Sequence, residues 1–366
     1  MSKRKPLKAL VMAGGTGGHV YPALATAEVL RERGIVVEWV GTNRGIEARV
    51  APSHGYKLHA LVTRGLRGKG LVSRIQGLVS LLMAALQSFW ILLNYRPQVV
   101  IGFGGYAAGP AGLVASVLRI PLVIHEQNAV AGTTNRLLAK RARRVLAGFE
   151  GAFSEDVPVA VTGNPLRADI ATVGASVPDS LNFSSERPLR LLILGGSQGA
   201  LALNQLCPAA IATLSALDRA VIHVIHQCGD RHADTTEAFW GETSIAQLEI
   251  RPFIDDMAST YEWADMAICR AGALTVSEVA VTATPALLIP LPNAIDNHQL
   301  HNAQALEGAG GARVLQQHSL TAESLAEQVS EFIRHPALLS AMSTAAHAWS
   351  KPTATDRVAE IVMEAV

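Results

Sequence analysis

Short runs of apolar residues recur along this chain, and stretches with the spacing of amphipathic helices separate them. Within the runs nearly every position is apolar, which is typical of strands in a parallel sheet that helices cover on both faces. The predicted strands lie at residues 7–12, 36–40, 99–101, 122–124, 145–147, 189–194, 221–226, 266–269 and 286–289. This alternation of strands and helices predicts an α/β protein built on parallel sheets.

One opening, a strand followed by a glycine-rich loop and a helix, occurs twice in the chain. The first has AGGTGGH at residues 13–19, and the second has GGSQG at residues 195–199. Two such openings in 366 residues predict two doubly wound domains that face each other.

A cluster of Gly, Asn and Pro at residues 163–165 marks the predicted domain boundary. The predicted domains are therefore residues 1–163 and 164–344. We expect a final helix, over about residues 345–366, to pack back on the first domain.

Composition narrows the class of protein. Apolar residues make up 49% of the chain and charged residues only 17%, which excludes a disordered protein. Cys207, Cys228 and Cys269 lack the spacing of metal ligands or of a disulfide framework, so we expect a reducing compartment. The brief apolar run at residues 7–12 meets a glycine loop, which favours a strand over a signal peptide.

Charge is unevenly distributed, although the net charge is only +1. Residues 1–160 hold 20 Lys and Arg against 8 Asp and Glu, a net charge of +12, whereas residues 161–366 hold 11 against 22, a net charge of −11. The basic first half predicts an anionic partner, which could be nucleic acid, phosphate groups or acidic lipid.

The glycine loops suggest phosphate binding, because the first amides of a helix are unpaired and carry partial positive charge. Residues 14–18, residues 195–199 and the strand exit GFGGY at residues 102–106 have this pattern. A tight turn without a ligand would need the same glycines. The dinucleotide pattern G-x-G-x-x-G is poorly met, although Glu38 keeps an NAD site open, and no Walker lysine follows either loop.

Several longer motifs lie in a fixed order between residues 14 and 302. They are GGTGGHVYPALA (14–25), GFGGYAAGP (102–110), HEQNAVAG (125–132), GNPLR (163–167), GGSQGA (195–200), FIDDMA (253–258), CRAGALTVSE (269–278) and DNHQ (296–299) followed by Asn302. In these motifs and their order the sequence resembles the MurG family, the UDP-N-acetylglucosamine:lipid I N-acetylglucosaminyltransferases of peptidoglycan synthesis.

The resemblance implies the GT-B fold, in which two Rossmann-like parallel-sheet domains face each other across a cleft. It implies inverting transfer of N-acetylglucosamine from UDP-GlcNAc to the 4-hydroxyl of the muramoyl sugar of lipid I, an undecaprenyl-diphospho-muramoyl-pentapeptide, giving lipid II. The alternatives are another GT-B UDP-sugar glycolipid transferase, a UDP-sugar epimerase of the same fold, and a non-catalytic UDP-sugar-binding module.

The resemblance also implies a donor site, mainly on the second domain. Arg167 and Ser197 would bind the diphosphate, and Gln299 the hydroxyls of the transferred sugar. Glu278 would bind the ribose hydroxyls, and Ile254 would flank the uracil. The other implied donor contacts are Thr16, Gly17, Gly18, Asn128, Ala273, Leu274, Thr275, Val276 and Ser277.

The spacing of Thr275 and Glu278 has a second interpretation. It fits a capping box, with Thr275 as the N-cap of a helix and Glu278 three residues further on. Spacing alone favours the cap, whereas the resemblance favours ribose binding.

The implied acceptor site lies on the first domain. Its residues are Gly14, Gly15, Gly104, Gly105 and Tyr106. His19 is the first candidate for the catalytic base, because the free pKa of histidine is about 6.5 and a helix N-terminus favours the neutral ring. His19 could instead donate to a phosphate or cap the helix. Glu126 is the competing base, or it orients other groups.

The sequence contains no Asp-x-Asp pair. Metal-dependent glycosyltransferases often use that pair to hold a cation on UDP, so we expect no metal and no other cofactor. Helix N-termini and Arg167 would then neutralise the departing diphosphate.

Residues 75–95 carry no charge and are long enough for a transmembrane helix. Gln76, Ser80 and Gln87 would mark a polar stripe, which favours a helix that packs on the domain and exposes an apolar patch; a fully buried helix is the alternative. Basic residues precede the run, namely Arg64, Arg67, Lys69 and Arg74. An apolar patch beside basic residues is typical of proteins that bind the membrane interface.

Together with this pattern, the resemblance implies a peripheral protein on the cytoplasmic face of the bacterial inner membrane. Its predicted partners are UDP-GlcNAc, lipid I and an anionic membrane surface, with other cell-wall synthesis proteins as further candidates. We predict no binding to nucleic acid.

Overall fold

The computed structural model of the protein describes residues 6–62, 71–173, 182–196, 199–241, 243–292 and 295–366. Its contacts divide the chain into two compact units. The first unit comprises Met1–Arg167 and Lys351–Val366, and the second comprises Ala168–Ser350. Both boundaries lie a few residues later than the sequence predicted.

The first unit is built on a seven-stranded sheet in which all neighbouring strands are parallel. Its strands are β1 (Lys8–Met12), β2 (Val36–Gly41), β3 (Leu58–Ala60), β4 (Val99–Gly102), β5 (Leu122–Glu126), β6 (Arg144–Ala147) and β7 (Val159–Val161). The order across the sheet is β3-β2-β1-β4-β5-β6-β7. The helices between them are α1 (Gly17–Glu32), α2 (Glu47–Ser53), α3 (Leu71–Tyr95), α4 (Ala108–Val117) and α5 (Thr133–Ala139).

Helices cover both faces of this sheet, and strand β1 shows why its sequence is apolar throughout. Its side chains alternate between the faces. Ala9 and Val11 pack in the core cluster under α1, whereas Leu10 and Met12 pack in the cluster under α3 and α4. A strand buried on both sides has no position for a polar residue.

The second unit is built on a six-stranded sheet that is also entirely parallel. Its strands are β8 (Leu189–Leu194), β9 (Ile222–Gln227), β10 (Gln247–Arg251), β11 (Met266–Cys269), β12 (Ala286–Leu288) and β13 (Ala312–Val314), in the order β10-β9-β8-β11-β12-β13. Its helices are α6 (Ala168–Ala171), α7 (Leu201–Thr213), α8 (Ala216–Arg219), α9 (Ala233–Trp240), α10 (Met257–Trp263), α11 (Ala273–Val281), α12 (His298–Gly308), α13 (Ala322–Arg334) and α14 (Ala337–Trp349).

The last helix, α15 (Ala354–Glu364), packs on α1 and completes the core of the first unit. Val358 and Val362 are buried in the same cluster as Leu24. The hydroxyl of Thr355 accepts a hydrogen bond from the amide of Leu166 at 3.0 Å and donates to its carbonyl at 2.8 Å.

The strand order reverses between β1 and β4 in the first unit and between β8 and β11 in the second. Doubly wound sheets bind ligands outside the carboxyl ends of their strands at such points. In each unit the loops that follow these two strands carry motifs of the predicted site.

Helix α3 presents an apolar surface. Leu78, Leu82 and Trp90 are each more than 60% exposed, while Leu92 is buried against the unit. Two residues of the polar stripe contact Val62: Gln87 accepts from its amide at 2.9 Å, and the Ser80 hydroxyl donates to its carbonyl at 3.5 Å. The alternative of a fully buried helix is wrong. By length and composition, α3 is also the one helix among the described residues that could cross a membrane.

Candidate active site

The first glycine loop brings His19 to the start of α1. Thr16 is extended, with φ −108° and ψ 160°, and the helix begins at Gly17. Nδ1 of His19 lies 3.4 Å from Oγ1 of Thr16. A Cβ atom on Gly104 would lie only 3.3 Å from Cδ2 and Nε2 of the half-buried His19 ring. The candidate base therefore lies directly against the loop that follows β4.

The backbones of the loops that follow β1 and β4 also lie close together. A Cβ atom on Gly105 would collide with the carbonyl of Gly14. Gly104 and Gly105 have φ values of +92° and +84°, which favour glycine. The structure thus brings the predicted acceptor residues Gly14, Gly104 and Gly105 together beside His19, and Tyr106 follows them with an exposed ring.

Glu126, the last residue of β5, organises the loop that follows it. The residue is only 2% exposed. One oxygen accepts from the backbone amide and the side-chain amide of Asn128, at 3.0 and 3.2 Å. The other accepts from the amide of Gly132 at 3.0 Å and from Nδ2 of Asn135 at 2.9 Å. Through these hydrogen bonds the Glu126 carboxylate orients Asn128 and holds the loop that follows β5.

The neighbouring His125 was not a candidate from the sequence, although it lies in the HEQNAVAG motif. It is fully buried, and burial lowers its pKa to about 4, so its ring is neutral at physiological pH. Nε2 lies 3.0 Å from the carbonyl of Gly163, and Nδ1 lies 3.1 Å from Nε2 of Gln127. The neutral ring therefore donates through Nε2 and accepts through Nδ1.

Glu47 was also not a candidate. It is fully buried at the start of α2, and its carboxylate accepts from the amide of Gly15 at 2.9 Å. A lone glutamate between a turn and a short helix carries no signal of its own, and its contact with the glycine loop joins residues 32 positions apart.

The second glycine loop leads from β8 into α7. The amide of Gly195 donates to the carbonyl of Gln227 at 3.0 Å, and that of Gly199 donates to Gly196 at 2.8 Å. The side-chain amide of Gln227, at the end of β9, donates to the carbonyl of Gly196 at 3.1 Å and so holds the loop in place. The predicted diphosphate contact Ser197 lies outside the described residues.

Helix α11 begins earlier than the capping-box interpretation requires. Its N-cap is Gly272 and its first residue is Ala273, so Thr275 and Glu278 lie inside the helix. The capping box is therefore wrong. Glu278 is half exposed, and its Oε2 accepts a hydrogen bond from the hydroxyl of Tyr261 at 3.0 Å. Tyr261 lies in α10, the helix that begins within the FIDDMA motif, so this bond joins α10 to α11.

Some predicted donor contacts on α11 are packing residues. Val276 is fully buried and its amide donates to the carbonyl of Gly272 at 2.9 Å. Ala273 is also buried. Leu274, Thr275 and Ser277 are partly exposed, so this side of the helix can face a ligand.

The remaining residues predicted to bind the donor lie outside α11. Gln299, in the first turn of α12, accepts from the amide of Leu291 at 2.9 Å. Ile254 is buried just before α10, and Asp256 caps that helix by accepting from the amide of Ser259 at 3.0 Å. Arg167 is the last residue of the first unit and is partly exposed.

Metal-ligating side chains do not cluster in the described part of the chain: no group of three His, Cys, Asp or Glu could hold an ion there. Cys207, Cys228 and Cys269 are buried free thiols. Burial raises the pKa of Cys207 and of Cys269 to about 12, so neither forms a thiolate at physiological pH.

Comparison with known proteins decides the family. Residues 9–147 match the N-terminal domain model of glycosyltransferase family 28, and residues 190–358 match its C-terminal domain model. The chain belongs to glycosyltransferase family 28.

Family 28 relatives match over the whole chain. Proteins of Chromohalobacter salexigens (46% identical, covering 100% of this chain and 99% of the relative) and Thiobacillus denitrificans (48% identical, covering 96% of each) are both named UDP-N-acetylglucosamine--N-acetylmuramyl-(pentapeptide) pyrophosphoryl-undecaprenol N-acetylglucosamine transferase. The resemblance to the MurG family is thereby confirmed.

One solved structure agrees with this family 28 assignment, and a more distant one shares the fold. The crystal structure of Acinetobacter baumannii MurG is 35% identical, with a TM-score of 0.81 over 98% of this chain and 100% of that chain. A UDP-GlcNAc 2-epimerase from Neisseria meningitidis is 13% identical, with a TM-score of 0.65 over 98% of this chain and 100% of that chain, and shares only the fold. Together with the two parallel sheets, these matches confirm the predicted GT-B fold.

Proposed function

We propose that this glycosyltransferase moves N-acetylglucosamine from UDP-GlcNAc to the 4-hydroxyl of the muramoyl sugar of lipid I, with inversion, giving lipid II. The observation that carries the proposal is the full-length match to relatives named for this transfer. The epimerase alternative has weaker support, because its match is limited to the fold.

The donor would bind on the second unit, where β8 and β11 end. The first turn of α11 offers amides and a helix dipole to the diphosphate. The carboxylate of Glu278, oriented by the Tyr261 hydroxyl, suits the ribose because ribose hydroxyls are donors and a carboxylate is an acceptor. Arg167 would add a cation for the departing UDP.

The acceptor would bind on the first unit around His19. Deprotonation of the muramoyl 4-hydroxyl by His19 would let that oxygen attack the anomeric carbon as the bond to UDP breaks. Thr16 and Gly104 touch His19 from two sides and would hold its ring in place. Glu126 would position Asn128 beside the reacting sugars, rather than take the proton itself.

This mechanism uses no metal or other cofactor. The negative charge of the leaving UDP would be stabilised by the helix N-termini of α7 and α11 and by Arg167, whose guanidinium has several donors for phosphate oxygens. Addition of a chelator should therefore leave turnover unchanged.

The exposed face of α3 would bind the membrane. Leu113 and Val117 on the adjacent α4 are also exposed and extend the apolar surface. Exposed cations lie on the nearby α5 and the segment after it, namely Arg136, Lys140, Arg141 and Arg143. Apolar surface beside cations fits an anionic leaflet, so we place the protein peripherally on the cytoplasmic face of the inner membrane, where other cell-wall synthesis proteins could dock.

UDP release tests the proposed reaction. The protein is mixed with UDP-GlcNAc, with and without a soluble lipid I analogue. We expect UDP to appear only when the analogue is present. Conversion of UDP-GlcNAc without an acceptor would support an epimerase, and donor binding without turnover would support a binding module.

A further inference from the structure

A fully buried carboxylate lies behind the first glycine loop. Glu47 is 0% exposed. One oxygen accepts from the amide of Gly15 at 2.9 Å, and the other accepts from the amide and the hydroxyl of Thr42 at 2.8 and 2.7 Å. The ion pairs of the described residues do not include Glu47. A buried polar group is costly without hydrogen-bond partners, so these three donors stabilise the Glu47 carboxyl group in its buried position.

Three glycines make room for this side chain. A Cβ atom on Gly14 would lie 2.5 Å from Oε1 of Glu47, and one on Gly41 would lie 2.5 Å from its Cγ. A Cβ atom on Gly45 would collide with Oε2. Backbone from the loop after β1, from the end of β2 and from the turn before α2 therefore converges on one carboxylate. The packing of Glu47 therefore requires a glycine at position 14.

The contact changes what the first glycine loop can bind. Gly15 has φ +98°, and its amide points inward at Glu47, where a phosphate cannot reach it. The amides of His19 and Val20 donate to the carbonyl of Thr16. An anion that binds this loop would therefore contact the start of α1 at Gly17. It would not contact the amide of Gly15, which is bonded to Glu47.

We propose that Glu47 is a positioning residue for the transfer reaction. It fixes the start of the loop that carries His19, and the same stretch of backbone packs against Gly105 through the carbonyl of Gly14. Loss of the Gly15 contact would let the loop shift relative to the acceptor. This inference rests on the proposed function.

The substitution E47Q distinguishes the contacts of Glu47 with Thr42 from its contact with Gly15. The carbonyl oxygen of Gln can still accept from the Thr42 amide and hydroxyl, but its NH₂ group then faces the amide of Gly15, so two donors oppose each other. T42V is the matched control, because it removes one hydrogen bond to Glu47 and leaves the Gly15 contact intact. Both variants lose a buried contact, and only E47Q disturbs the glycine loop.

The measurements are kcat and KM for UDP-GlcNAc and a soluble lipid I analogue, UDP affinity and the thermal midpoint. We expect E47Q to lower kcat by about 10- to 100-fold, as small misplacements of reacting groups do, with UDP affinity unchanged. T42V should lower the thermal midpoint while kcat stays at the wild-type value. Glu47 lies in the first unit and the proposed donor site in the second, so a retained cooperative thermal transition of the first unit, rather than UDP affinity, shows that the variant is folded.

Retention of wild-type kcat by E47Q, or an equal loss of kcat in T42V, would overturn the inference. Should E47Q fail to fold, E47D replaces it. Its shorter side chain keeps a carboxylate but draws it back from Gly15, so it should also lower kcat, and full activity of E47D would refute the role. Absence of turnover in the wild type would refute the proposed function instead.

Discussion

Three glutamates, two in the first unit and one in the second, differ in what surrounds their carboxylates. Glu47 and Glu126 are buried and accept several hydrogen bonds from neighbouring backbone and side-chain groups. Glu278 is half exposed, and its carboxylate accepts from the phenolic hydroxyl of Tyr261. At the scale of single residues, burial therefore separates the acids that shape loops from the acid that can meet a substrate.

Glu278→Ala should weaken donor binding. Hydrogen bonds to a charged group contribute about 1.5–3 kcal/mol each, so we expect the Kd of UDP-GlcNAc to rise by about 10- to 100-fold. Calorimetric titration measures this. The exposed Glu262 on α10 gives the matched control Glu262→Ala, which should bind normally. Unchanged affinity in Glu278→Ala would remove the ribose contact from the mechanism.

His19→Ala should slow the chemical step. General bases contribute about 10²- to 10⁴-fold to rate, so kcat should fall within that range while UDP-GlcNAc affinity changes little. Steady-state kinetics with a soluble lipid I analogue checks this, with the exposed His318→Ala as control. A kcat within a few-fold of the wild type would show that another group takes the proton.

The sequence predicted some of these residues and missed others for a physical reason. His19, Gly104 and Gly105 belong to motifs whose glycines are visible in the sequence, and the structure brings them together. Glu47 and His125 act through contacts with distant backbone, at Gly15 and Gly163, and no local pattern records such contacts.

At the scale of elements, burial decided which strands could be predicted. All predicted strands are central and largely buried, whereas β3, β7, β10 and β13 form the edges of the two sheets and are short or half exposed. An edge strand needs no continuous apolar run. The start of α11 was mispredicted because Gly272, which has no side chain to cap the helix, stands as its N-cap in place of Thr275.

Helix α3 should drive membrane binding through its exposed leucines. Burial of one leucine contributes about 1.5–3 kcal/mol, so Leu82→Gln should reduce partition onto anionic vesicles by about tenfold or more. Vesicle sedimentation measures it. Turnover of a soluble acceptor should not change.

The control for this helix is Leu217→Gln. Leu217 is 83% exposed on α8 of the second unit, so its loss removes a comparable apolar surface elsewhere. Vesicle binding that is equally reduced in both variants would reject α3 as the membrane contact. Added salt should weaken wild-type binding, because it screens the cations beside the patch.

At the scale of the whole molecule, each unit holds one buried neutral histidine. His125 lies in the first unit, and His226 in the second. The ring of His226 accepts from the indole of Trp240 at 3.0 Å and lies 3.1 Å from Oδ1 of Asn204 in α7. In its neutral form the His125 ring contacts the loop after β7, and the His226 ring joins helices α7 and α9.

Acid should therefore destabilise both units. Burial lowers the pKa of both histidines to about 4 in the folded protein. The unfolded value is about 6.5, so the unfolded chain binds more protons as pH falls from about 6.5 to about 4. The free energy of unfolding should fall by about 1.4 kcal/mol per pH unit for each histidine within that window.

Calorimetry between pH 7 and pH 4 checks this pH dependence. His125→Asn should flatten the pH dependence of unfolding in the first unit, and His226→Asn that in the second, because asparagine does not titrate. Slopes that match the wild type in both variants would show that other groups govern the acid response.

The reaction itself is tested most directly by the product. The protein is incubated with UDP-GlcNAc and a soluble lipid I analogue, and the product is analysed by mass spectrometry and by nuclear magnetic resonance of its anomeric proton. We expect one added N-acetylglucosamine on the muramoyl 4-hydroxyl, in a β-linkage that inverts the α-linkage of the donor. An α-linked product, or an acceptor that stays unmodified, would contradict inverting transfer to lipid I.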